Sequence, residues 1–181
     1  MHISIFGGAQ IGQDDPQYQQ AVQFGNLLGK EGYIILNGGY TGLMEAVSRG
    51  TAEAGGHVIG VTCEEIEKWR PIQKNPWVKE EWRTSTLLER LWLLLAKSDL
   101  AVALPGGIGT LAEISMLWNL QVIEVLDPNP ILVVGKGWQN VFKELLQTQG
   151  NFIPTHDRDQ LLFMEDLENT YNYIHSNYPI K

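Results

Sequence analysis

Cysteine is almost missing. Cys63 is the one thiol among 181 residues, so no disulfide can close within the chain, and a reducing compartment, the cytoplasm, is the expected location. Basic residues are also few: 13 Lys and Arg stand against 21 Asp and Glu, a formal charge of −8, whereas a free-standing nucleic-acid binder carries the opposite sign. No basic stripe interleaved with aromatics is present, so no nucleic-acid partner is expected. Every apolar run is broken by Glu, Lys, Asp or Gly before it nears the roughly 18 residues that a membrane span needs. No basic leader precedes the strand-like His2–Phe6, and neither a secretory route nor a membrane partner is expected. The four histidines, His2, His57, His156 and His175, lie scattered without ligand spacing, so no metal is expected, and no cofactor.

What is present is a core. Apolar residues make up 44% of the chain and charged residues 19%, which excludes a disordered tail and suits one domain over residues 1–181. The 19 glycines follow apolar runs: Ile3 to Phe6 ends in Gly7-Gly8, Tyr33 to Leu36 in Asn37-Gly38-Gly39, Leu100 to Leu104 in Pro105-Gly106-Gly107, and Ile131 to Val134 in Gly135-Lys136-Gly137. With His57 to Thr62, these short runs are apolar at nearly every position, as strands buried on both faces are.

Between them lie stretches with apolar spacing near 3.6: Ala21 to Leu28, Leu43 to Ala54, Thr84 to Lys97, Thr110 to Val125, Trp138 to Gln149 and Glu165 to His175. Strands alternating with helices predict an α/β fold, a doubly wound, Rossmann-like parallel sheet with helices on both faces and ligands held beyond the carboxyl ends of the strands. The stretches 84–97 and 110–125 are apolar around most of their circumference, which predicts a homodimer or homotetramer through them. Lys68 to Arg83, with Trp69, Trp77 and Trp82, reads as an ordered lid or interface segment, or equally as a surface connection whose tryptophans pack on the core. From Asn151 onward a last strand-like run and a surface helix are expected.

The strongest local signal is Leu104-Pro-Gly-Gly-Ile-Gly-Thr-Leu-Ala-Glu113, a strand end, a glycine turn and a helix start in ten residues. Gly106, Gly107 and Gly109 let the backbone approach a ligand, Thr110 is placed to cap the helix, and the first N–H groups beyond it make an anion site. The spacing is neither the P-loop, which needs a Lys after its last Gly, nor the dinucleotide G-x-G-x-x-G. Gly7 and Gly8, and the run Gly38-Gly39-Tyr40-Thr41-Gly42, bring further glycine loops to the same sheet edge. Glu113 has two readings: a capping-box partner three residues past Thr110, or a carboxylate on the first turn facing the ligand. Arg90, the one cation between Leu87 and Ala96, reaches solvent, pairs locally, or meets an anion.

Pro105-Gly-Gly-Ile-Gly-Thr-Leu-Ala-Glu113 resembles the PGGxGTxxE motif of the Lonely Guy family. Phe6-Gly-Gly-Ala-Gln-Ile-Gly12 is similar to that family's first glycine loop, Asn37-Gly-Gly-Tyr-Thr-Gly-Leu-Met44 to its GGGxxGLM segment, and Gly56 to Val61 to the strand that follows; the likeness runs from about residue 2 to 150. The resemblance implies a cytokinin-type phosphoribohydrolase that frees a base and ribose 5-phosphate from a nucleoside 5′-monophosphate, with dimers formed through apolar helices. It also implies a catalytic pair, an arginine falling on Arg90 and a glutamate on Glu113. The His and Lys of the family's arginine segment are Leu88 and Leu91 here, the first Glu of its GTLEE is Ala112, and the Gly after GLM is Glu45. The fold and loops also resemble molybdenum-cofactor carrier proteins, which bind a phosphate-bearing pterin without turning it over, and Gly42-Leu-Met-Glu-Ala46 looks more like that branch. A third likeness, to the Rossmann core of the DNA-processing protein DprA, is disfavoured by the charge. The expected partner is therefore a small phosphate-bearing ligand, a nucleoside monophosphate or a pterin cofactor.

Overall fold

Short β-branched runs with no polar face can be satisfied only between two layers of helices, and that is the arrangement they adopt. In the computed structural model, which describes residues 1–180, the strands are His2–Phe6 (β1), Ile34–Asn37 (β2), His57–Cys63 (β3), Glu80–Thr84 (β4), Leu100–Ala103 (β5), Ile131–Val134 (β6) and Leu161–Met164 (β7). They form one sheet in the order β4-β3-β2-β1-β5-β6-β7, with every pairing parallel. The chain winds outward from β1 to β4, then returns to the other side of β1 for β5 to β7. β1 and β5 therefore flank the switch point, where their loops part to opposite faces and leave a crevice.

The helices are Pro16–Lys30 (α1), Leu43–Glu53 (α2), Glu64–Trp69 (α3), Leu87–Ala96 (α4), Ile108–Val122 (α5), Lys136–Gln149 (α6), Thr155–Arg158 (α7) and Leu167–Asn177 (α8). One core unites α1, α2 and α8 with Ile3, Ile5, Ile35, Val102 and Leu132; the other unites α4, α5 and α6 with Phe6, Leu36, Val61, Ala103 and Val133. Alternate residues of each strand thus feed opposite layers. Helix starts follow local chemistry: Asp15 Oδ1 accepts the Gln17 N–H at 2.8 Å with Pro16 at the first helical position, and Thr86 with Glu89 forms a full capping box on α4. α1 and α2 meet with almost no space between them. A Cβ on Gly50 would overlap the Val22 carbonyl oxygen, and one on Gly25 the Val47 carbonyl oxygen.

Several expectations change. α5 begins at Ile108 with Gly107 as its capping residue, so Thr110 is the third helical residue and not the cap. Glu113 is the sixth, on the second turn, and its capping-box reading falls with it. The apolar helices span Leu87–Ala96 and Ile108–Val122 where 84–97 and 110–125 were expected, because Thr84 belongs to β4 and an αL residue, Glu124 with φ 58°, follows the end of α5. Segment 68–83 divides into the end of α3, a strap, and the edge strand β4, whose Glu80, Glu81 and Arg83 hid it among loop residues; charge on an edge strand also blocks further pairing. Trp69 is 79% exposed and does not pack on the core, whereas Trp82 on β4 is half-buried against it.

Candidate functional site

The crevice at the switch point is bound together by backbone. Gly8 N–H donates to the Pro105 carbonyl at 2.9 Å, and the Leu43 N–H donates to the Gly8 carbonyl at 2.9 Å, so the loops after β1, β2 and β5 share one node. Thr41 Oγ1 donates to the Ala9 carbonyl at 3.0 Å. Gly42 takes φ +77°, and a Cβ there would overlap the Gly8 carbonyl, so only glycine lets the second loop close on the first. Gly7 packs against Leu43 and Leu104 beneath this node.

Beside the node, the α5 amino terminus is open. Its first intrahelical bond runs from the Leu111 N–H to the Gly107 carbonyl at 3.0 Å, which leaves the preceding helical N–H groups without helical partners. Gly106 is filled from behind, since a Cβ there would overlap the buried Thr110 side chain, whereas a Cβ on Gly107 or Gly109 would meet nothing within 4 Å. Free N–H groups, the positive end of the helix dipole and empty space over two glycines make a cradle for an anion. Thr110 and Glu113 are three residues apart on one helix and so share a face.

One turn deeper lies a buried ion pair. Arg90 from α4 is 6% exposed and Glu113 from α5 is 9% exposed, with Arg90 Nη1 3.8 Å from Glu113 Oε1. Arg90 Nε donates to the Val61 carbonyl at 2.9 Å, and its guanidinium lies 5.9 Å from the centre of the Tyr40 ring. It also presses on Gly38, where a Cβ would overlap the guanidinium. Burial disfavours the charged carboxylate, and Arg90 offsets that only in part, so the Glu113 carboxyl is pushed up to about 7. A carboxyl that exchanges its proton near neutrality, held beside a fixed cation, is suited to acid–base work.

Of the residues singled out in the sequence, Gly7, Gly8, Thr41, Gly42, Gly106 and Thr110 build the node and cradle, Gly107 and Gly109 face open space, Arg90 and Glu113 form the inner pair, and Gly38 packs against the Arg90 guanidinium. Gly39 turns away: it has φ +73°, packs on Gly60 and Thr62, and its carbonyl accepts from Asn75. Arg90 meets an internal anion, neither solvent nor a neighbour on its own helix. Tyr40, Val61 and Asn75 lie inside segments already singled out but not at their defining positions, and only the fold brings them together here. Among the described residues no group of three His, Cys, Asp or Glu side chains is placed to hold a metal. On the other side of Pro105, toward α1 and α8, a cleft of about 210 Å³ is lined by Gln17, Gln20, Leu104, Pro105 and Glu165 among others.

A seven-stranded parallel sheet with helices on both faces and an open helix amino terminus at its switch point defines the class of Rossmann-like α/β proteins. Within that class the chain belongs to the SLOG cluster4 family, whose model matches residues 1–162. It is similar to the cytokinin riboside 5′-monophosphate phosphoribohydrolase LOG of Oryza sativa subsp. japonica, 34% identical over 113 residues, which are 62% of this chain and 46% of that protein. The match thus spans about half the length of that plant relative. Among solved structures it is similar to the molybdenum cofactor binding protein of Rippkaea orientalis, with TM-score 0.71, 24% identity and coverage of 97% of this chain and 95% of that one. The molybdenum cofactor carrier protein of Chlamydomonas reinhardtii gives TM-score 0.73 at 21% identity, over 97% and 96% of the two chains. At those identities the two structures show the fold alone.

Proposed function

We propose that the chain is a nucleoside 5′-monophosphate phosphoribohydrolase, of the cytokinin riboside monophosphate or AMP type. The observation that carries this reading is the buried Arg90–Glu113 pair one turn below the open α5 cradle. The 5′-phosphate sits on the N–H groups over Gly107 and Gly109, with the buried Thr110 side chain backing Gly106 from behind. The ribose then lies toward Glu113. Cleavage breaks the bond between C1′ and the base nitrogen, and the electron pair leaves with the base, which takes a proton. Water adds its oxygen to C1′ and gives up a proton. Ionised Glu113 stabilises the oxocarbenium-like sugar and accepts the proton of the attacking water; Arg90 holds the substrate and favours departure of the base. Grip on the remote phosphate lowers the barrier at C1′ by fixing the sugar in place.

The test is incubation with a panel of nucleoside 5′-monophosphates while free base and ribose 5-phosphate are followed. Release that disappears in Glu113→Gln and Arg90→Ala supports the assignment. Turnover that survives in both variants overturns it.

A second reading has its own observation. The cleft of about 210 Å³ beyond Pro105 has room for a flat bicyclic ring on the side of the sheet away from Glu113, which suits a carrier of a phosphate-bearing pterin. Saturable binding of such a ligand with no bond cleavage favours the carrier.

The same proposal includes self-association. Leu88 is 73% exposed, Trp92 48%, Ile123 57% and Val125 51%, along or just beyond α4 and α5, and a second copy would cover them in a homodimer or homotetramer. No helix among the described residues is long and apolar enough to cross a membrane, and the lone buried thiol of Cys63 suits a reducing cytoplasm.

A further inference from the structure

Arg90 is not held by Glu113 alone. Its guanidinium faces the ring of Tyr40, a residue fastened both at its hydroxyl and at its backbone. At the far end, Tyr40 Oη accepts the Cys63 N–H at 2.8 Å and lies 3.3 Å from both the Cys63 carbonyl and Glu67 Oε1. At the near end, Asn75 Nδ2 donates to the Tyr40 carbonyl at 2.9 Å and the Gly39 carbonyl at 3.1 Å, and the Asn75 N–H donates to the Gly39 carbonyl at 2.8 Å. Both residues are buried, Tyr40 at 2% exposure and Asn75 at 5%. Such fastening exceeds what a loop needs in order to turn.

We propose that Tyr40 is a positioning residue for the reaction, an aromatic platform that sets where Arg90 stands against Glu113, and that the strap through Asn75 locks the platform. The proposal rests on the phosphoribohydrolase reading for its catalytic consequence, but its geometry stands apart from it. A guanidinium can rotate about its long stem, and the Val61 carbonyl fixes only Nε. The face of an aromatic ring attracts the cation and also limits its tilt, so Nη1 keeps its approach to Glu113. Glycine at position 38 permits the close approach, and Tyr40 supplies the opposing wall. This gives segment 68–83 a role: it is tied to the site through the side chain and N–H of Asn75.

The test compares Tyr40→Phe, which keeps the ring, with Tyr40→Leu, which removes it, and with Asn75→Ala, which loosens the strap while leaving residue 40 intact. One readout is the titration of the Glu113 side-chain carboxyl, followed by carbon NMR of labelled protein and assigned with Glu113→Gln; it needs no turnover. Tyr40→Leu is expected to move that midpoint upward as Arg90 drifts away, Asn75→Ala to move it the same way by less, and Tyr40→Phe, which keeps the ring face but gives up the bonds of Oη, to move it less than Tyr40→Leu. The second readout is turnover: Tyr40→Leu lowers kcat by about tenfold with KM changed less than about twofold, and Tyr40→Phe restores most of the loss. A midpoint unmoved in both Tyr40→Leu and Asn75→Ala overturns the proposal, as does a Tyr40→Phe that behaves like Tyr40→Leu. If the parent protein releases no base at all, the phosphoribohydrolase reading fails, and the NMR midpoints still decide the role of Tyr40. Should Tyr40→Leu not fold, Asn75→Ala against Tyr40→Phe carries the comparison.

Discussion

Arg90 Nη1 and Glu113 Oε1 stand 3.8 Å apart, near enough for the cation to favour the carboxylate and too far for a hydrogen bond to complete the pair. The gap keeps both groups available to a third. It also leaves the desolvation of Glu113 only partly compensated, and this has a consequence for stability.

The folded state holds the Glu113 proton up to about pH 7, against an ordinary value of 4.5. Native protein therefore binds more protons than unfolded chain between these values, and the contribution to stability is full below 4.5 and lost as pH rises through 7. Relative to the parent, Glu113→Gln is expected to gain on the order of 3 kcal/mol between pH 4.5 and 8, with no further change above. Urea unfolding of both proteins across that range measures it. A constant difference would remove the shifted carboxyl from the account.

Gly109 separates ligand binding from folding. A methyl group there meets no atom of the protein, and alanine favours a helix over glycine, so Gly109→Ala is expected to leave stability unchanged or raise it by up to about 1 kcal/mol. The same methyl fills the cradle, so affinity for a nucleoside monophosphate is expected to fall at least about tenfold. Thermal melts and calorimetric titration of the same sample check both halves.

Leu88→Glu and Trp92→Glu place charge on the exposed face of α4 without touching either core. Each is expected to convert an assembly into a species of 20.3 kDa by sedimentation. A parent protein that already sediments at that mass rejects the interface.

The seam between α1 and α2 admits no added atoms. Gly50→Ala is expected to destabilise the fold by roughly 1–3 kcal/mol, because the methyl group must displace backbone at Val22 and not a flexible side chain. Denaturant midpoints at fixed slope measure the loss.

Much of this arrangement was legible in the sequence because buried parallel strands leave an unmistakable mark: apolar at nearly every position and, in four of the five runs, followed by the glycines of the ligand edge. β1, β2, β3, β5 and β6 fall out of that pattern directly. β4 does not, since an edge strand with Glu80, Glu81 and Arg83 looks like a loop until β3 is seen to pair with it. The cap of α5 slipped by three residues because Thr110 is a better capping residue than glycine by chemistry alone, yet the backbone caps with Gly107 and turns Thr110 inward under Gly106. Arg90 and Glu113 could be named from motif likeness, but their meeting joins residues of two helices separated by β5, and no local rule reports it. Tyr40 was hidden for the opposite reason: set among glycines that draw notice, it read as loop filling.

The sheet order also bears on how the chain comes to be folded. β1 lies at the centre, precedes both its neighbours in the chain, and gains β2 within 40 residues but β5 only near residue 100. During synthesis the β1 to β4 half can assemble outward as it emerges, with one flank of β1 left bare until the second half arrives. That flank is an apolar strand edge with unpaired backbone groups, the kind that adheres to other chains. Ribosome-bound chains halted before β5 are thus the species most in need of a chaperone, and release past residue 103 marks the point at which that exposure ends.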